Sequence, residues 1–110
     1  MTIVLFSCGD GNYTNVSLEG YVRDSETKTI IPNSKIQVTC WVYDTEIWES
    51  RKVKKEVKSN KEGFYLIHFE KGEAMDIIVS ADRYGAKELS ITLRKNKNKI
   101  DFSLTKRSIF

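Results

Sequence analysis

From Val16 onward the chain alternates apolar and polar residues with a period of two. Val16, Leu18, Gly20 and Val22 share one parity, and Ile36, Val38, Cys40 and Val42 share another. No stretch sustains a helical period. Strands are predicted over 16–23, 35–43, 52–59, 64–69, 75–81, 87–93 and 99–104. Turn residues separate them: Ile31-Pro32-Asn33-Ser34, Asn60-Lys61-Glu62-Gly63, Lys71-Gly72-Glu73 and Asp82-Arg83-Tyr84-Gly85. The run Phe64 to Phe69 is apolar on both parities, which predicts a central strand buried on both faces. Residues 44–55 read as a long excursion carrying Ile47 and Trp48. Short strands at this spacing predict an all-β fold, a seven-stranded Greek-key β-sandwich.

Size and charge narrow the picture. The 110 residues suit one domain. The division expected is a leader remnant and tether over 1–15, the sandwich over 16–105 and a tail over 106–110. A net charge of +3 is too small to imply nucleic acid by itself, and no nucleic acid is expected as partner; no apolar run reaches the roughly 20 residues of a membrane helix. Cys8 and Cys40 form neither a disulfide framework nor a CxxC pair. Cys40 sits mid-strand and reads as a small buried hydrophobe, with a Cys8–Cys40 bridge as the alternative.

The amino terminus carries a pattern of its own. Leu5-Phe6-Ser7-Cys8 resembles the lipobox of bacterial lipoproteins. The resemblance implies that Cys8 carries a lipid, that residues 9–15 form a polar tether, and that the protein sits in the cell envelope, anchored to the outer membrane of a Gram-negative bacterium. A short strand over 3–6 is the other reading of the same residues.

A second resemblance covers the body of the chain. It is carried by Gly20-x-Val22-x-Asp24, the Pro32 turn leading into a valine-rich strand, Ser59-Asn60-x-x-Gly63 followed by Phe64, and the aromatic-glycine turn Tyr84-Gly85. These residues resemble a carboxypeptidase regulatory-like domain, which implies a transthyretin-like sandwich. The shared positions are structural, so the resemblance implies no activity. Such domains serve as accessories beside other domains or in surface proteins.

Catalytic chemistry finds little support. His68 lies in an apolar strand and reads as a half-exposed strand histidine, with no nucleophile placed to use it. Transthyretin-fold enzymes that open ureide rings carry several histidines and a tyrosine-arginine-glycine-serine end, and neither is present. Asp24 with Glu26, and Asp44 with Glu46, offer sparse calcium ligands only. The basic run Arg51, Lys52, Lys54, Lys55, Lys58 and Lys61 reads as an edge strand guarded by charge. Trp41, Tyr43, Ile47 and Trp48 are the candidate contact residues: if the valine face of their strand is buried, Trp41 and Tyr43 point away from the core, and the other reading is that the excursion from Asp44 to Ser50 folds back over them as a satellite cluster. The function expected is a non-enzymatic structural or protein-interaction module, needing no metal or cofactor, whose partner is another cell-envelope protein. The alternative is a carbohydrate-binding module using the exposed aromatics. Contact with the membrane is through the lipid anchor alone.

Overall fold

A computed structural model describes residues 12–107. Cys8 and the whole Leu5-Phe6-Ser7-Cys8 pattern lie outside the described residues. Eight strands form two four-stranded sheets: β1 (Tyr13–Asp24), β2 (Lys35–Asp44), β3 (Glu49–Lys58), β4 (Phe64–Gly72), β5 (Ala74–Ser80), β6 (Lys87–Thr92), β7 (Lys97–Lys99) and β8 (Phe102–Leu104). One sheet runs β4-β1-β7, with β8 also paired to β1; the other runs β3-β2-β5-β6. The chain changes sheet after β1, β3, β4 and β6, the crossing pattern of a Greek-key sandwich.

The alternation explains the layers. Val16, Leu18 and Val22 of β1 face inward with Tyr65, Ile67 and Phe69 of β4. Opposite them stand Ile36, Val38, Cys40 and Val42 of β2 and Met75, Ile77 and Val79 of β5. Each such buried side chain contributes about 1.5–3 kcal/mol through removal from water. Cys40 is a buried free thiol, and burial pushes it up to about 11. It behaves as the small hydrophobe its parity predicts.

Three expectations need correction. β4 is an edge strand of its sheet, not a central one, and Leu66, His68 and Glu70 face solvent. Its outward apolar residues are absorbed by a surface cluster in which the Phe64 and Tyr21 rings lie 5.3 Å apart. The last predicted strand divides into β7 and β8, both parallel to β1. The break falls beside Gly20, where a Cβ would collide with the backbone carbonyl of Ile100. Glycine permits that close approach, and Tyr65 Oη donates to the same carbonyl at 2.7 Å.

The third correction concerns 44–55. These residues make no excursion over the sheet. β2 and β3 form one hairpin, paired without interruption from Lys35↔Lys58 to Asp44↔Glu49. The turn is Thr45-Glu46-Ile47-Trp48, and Trp48 closes it in the left-handed region at φ 57°.

Candidate functional site

The two ends of the sandwich are built differently. At one end, polar side chains knit the loops together. Asp24 Oδ1 accepts the Glu26 and Thr27 amides at 2.8 and 3.0 Å, and Oδ2 accepts the Tyr84 hydroxyl at 2.8 Å. These donors, the Thr27 amide foremost, hold the Asp24 carboxyl down at about 2. The same bond pushes the Tyr84 phenol up. The buried pair Ser34 and Ser59 bond each other's backbone, and both hydroxyls donate to the Ile31 carbonyl at 3.1 and 2.8 Å. Asn60 Oδ1 accepts the Glu62 and Phe64 amides at 2.9 and 3.0 Å, while Gly63 takes φ 76°. The motif residues Asp24, Asn60, Gly63 and Tyr84 are thus one structural knot. The Asp24–Glu26 and Asp44–Glu46 spacings have a similar explanation: Asp44 Oδ1 accepts the Glu46 amide at 3.0 Å, so these aspartates shape turns. Among the described residues no group of three or more His, Cys, Asp or Glu side chains is placed to hold a metal ion.

The other end holds the four candidate contact residues, and it does not bring them into one patch. Trp41 lies on the outer face of the β3-β2-β5-β6 sheet, half-buried. Its Nε1–H donates to Asp76 Oδ2 at 3.1 Å, and the Lys52 ammonium stands 4.9 Å from its ring centroid. Ser90 holds the other Asp76 oxygen at 2.8 Å. The Ser90 and Trp41 donors lower the Asp76 carboxyl below its ordinary range. Trp41 is therefore pinned at its edge and covered by Lys52. Tyr43 lies past the point where β5 stops pairing with β2. The Asn12 side chain takes the place of the missing strand, accepting the Tyr43 amide at 3.0 Å and donating to its carbonyl at 2.8 Å. Ile47 and Trp48 stand at the hairpin tip, 54% and 76% exposed.

Behind this tip the sheets part between the edges of β3 and β4. The cleft holds about 290 Å³ and is lined by Val42, Val53 and Phe69 below and Arg51, Lys55, Glu70 and Lys71 around. Tyr43, Asp44, Thr45 and Glu46 continue it toward the tip. Lys55 Nζ donates to the His68 carbonyl on the β4 edge and lies 5.1 Å from the Phe69 ring centroid. His68 is exposed, and its role in this contact is through its backbone.

Sequence reasoning missed two features. The first is this cleft. Its signal was present in charges at inward parity: Arg51 and Lys55 alternate with Val53 and Val57, whose side chains pack on the core. The second is a surface cluster of Tyr21, Phe64 and Leu66 on the β4-β1 face, with the Arg23 guanidinium 4.9 Å from the Tyr21 ring centroid. Apolar residues on the outward parity of β1 and β4 were the available clue.

No protein-family model and no curated relative matches the chain. Solved structures do. Catechol 1,2-dioxygenase from Acinetobacter sp. ADP1 matches with TM-score 0.66 and 11% identity, over 89% of this chain and 54% of that one. 3-Chlorocatechol 1,2-dioxygenase from Rhodococcus opacus 1CP matches with TM-score 0.70 and 7% identity, over 90% and 62%. The C-terminal domain of shaft pilin SpaA from Lactobacillus rhamnosus GG matches with TM-score 0.58 and 12% identity, over 86% and 99%. The chain spans little more than half the length of the dioxygenases it matches. At these identities the likeness is one of fold: an all-β sandwich found both in enzymes and in a pilus shaft subunit.

Proposed function

We propose that the chain is a non-enzymatic protein-interaction module of the cell envelope, and that it meets its partner through the open hairpin end. One observation carries this: Trp48 is 76% exposed at the tip of a two-strand ribbon. A large aromatic left in water beside exposed Ile47 is the type of side chain that anchors protein interfaces. The fold of a shaft pilin domain supplies a precedent for such a sandwich as an assembly unit. The same precedent supports an envelope address, and the Leu5-Phe6-Ser7-Cys8 pattern supports a lipid on Cys8. The likeness to carboxypeptidase regulatory-like domains supports an accessory role, because the matching residues Asp24 and Asn60 hold turns.

The test is a photo-crosslinking side chain in place of Trp48, in the cells that make the protein, with the same probe at Lys61 as control. A product from position 48 that is absent from position 61 is expected. Equal products, or none, would remove the reading. A glycan panel monitored by Trp fluorescence separates the carbohydrate alternative, for which Trp48 is the available stacking surface since Lys52 covers Trp41. Mass spectrometry of the membrane-extracted protein is expected to show a diacylglyceryl group on Cys8; a free Cys8 thiol there would end the anchor.

A further inference from the structure

The cleft behind the tip is basic and apolar, and the tip beside it is acidic and apolar. Within 44–49 the charged residues are Asp44, Glu46 and Glu49, and they flank Ile47 and Trp48. Two residues further on, the sign reverses at Arg51. The cleft floor of Val42, Val53 and Phe69 is ringed by three cations and by Glu70. Its volume, about 290 Å³, lies at the lower bound of ligand pockets, about 300–1,000 Å³. It suits one or two protein side chains.

Edge protection accounts for only part of this. Lys55 points inward at a sheet edge and occupies the His68 carbonyl, which blocks strand pairing. Arg51 and Lys71 do neither. Among the described residues their side chains line the cleft with no hydrogen bond, and the one ion pair joins Arg23 to Asp101. A lysine-rich β3 also disfavours extension of the sheet by a second β3, since like charges would face each other. The complementary contact is therefore insertion of side chains rather than pairing of backbones.

We infer that the cleft is filled by the hairpin tip of a second copy of this chain. Trp48 of one copy enters over Val42, Val53 and Phe69 of the other, with Glu46 and Glu49 facing Arg51 and Lys71. Tip and cleft lie side by side at one end of the sandwich, so a two-fold axis makes both insertions at once, each patch serving as donor and acceptor. The inference rests on the reading of the hairpin end as a contact surface and names its partner.

Sedimentation velocity of the full chain over a concentration series tests it. A monomer–dimer equilibrium that weakens with salt is expected. Trp48→Ala is expected to raise the dimer dissociation constant by about 30-fold or more, the scale of an interface hot spot. Arg51→Glu with Lys71→Glu, and separately Glu46→Lys with Glu49→Lys, are each expected to give monomers, and all four substitutions together to restore the dimer. Thermal melts confirm that each variant folds. A wild-type chain that stays monomeric, or a dimer indifferent to Trp48→Ala and to the charge reversals, overturns the inference. If the chain is monomeric while position 48 crosslinks to another protein, the second copy is excluded and the interaction-module reading stands.

Discussion

The two ends of this sandwich spend their polar residues in opposite ways. At the knotted end Asp24, Ser34, Ser59, Asn60 and Tyr84 satisfy one another and the loop backbone. At the hairpin end Arg51 and Lys71 stand around an apolar cleft with no such partners among the described residues, and Trp48 is exposed. Satisfied polar groups specify a fold. Exposed aromatics and arginine are enriched at protein interfaces. The contrast places the polar network at one end and the proposed contact surface at the other, on one continuous set of strands.

The sharpest separation of the ends lies in the core beneath the knot. Tyr65→Ala should cost about 3–5 kcal/mol in urea unfolding, since it removes a fully buried ring and the bond to Ile100. Next comes acid. The Asp24 carboxyl titrates at about 2 in the folded chain and nearer its ordinary 3.8 when unfolded. A depressed folded value contributes stability that is complete above the unfolded value and lost as pH falls through the folded one. Stability should therefore decline from about pH 4 down to about pH 2, and Asp24→Asn should flatten that limb of a pH series of melts. At the tip the sign changes. Trp48→Gly relieves a bulky residue at φ 57° and should leave stability unchanged or raise it by up to about 1 kcal/mol, while removing the contact. Trp41→Phe forfeits one hydrogen bond to Asp76 and should cost about 1 kcal/mol with the tip intact. A tip variant that destabilised as much as Tyr65→Ala would erase the distinction between the ends.

The knotted end was legible in the sequence because its residues act locally. Asn60 bonds amides two and four residues away, and Asp24 two and three away. The link from Asp24 to Tyr84, sixty residues distant, was not. The inward faces of β1 and β2 were read correctly from parity. β4 misled because Phe64 and Leu66 are apolar but outward, and parity cannot tell a doubly buried strand from one with a greasy outer face. The 44–55 segment looked irregular because charge falls on the inward parity of β3 at Arg51 and Lys55. Only the sheet arrangement shows that this parity opens into a cleft at the sandwich edge rather than into the core. Trp41 and Tyr43 were rightly placed off the core face, yet their neighbours Lys52, Asp76 and Asn12 come from pairings that a linear pattern does not encode.

The most direct test follows Trp48 itself. In a Trp41→Phe chain Trp48 is the sole tryptophan, and acrylamide quenching reports its access to water. The account predicts strong quenching in dilute solution that falls as protein concentration rises and the tip is buried against its partner. Quenching that stays equally strong at every concentration, and in the presence of envelope extract, would contradict the assignment of recognition to the hairpin end.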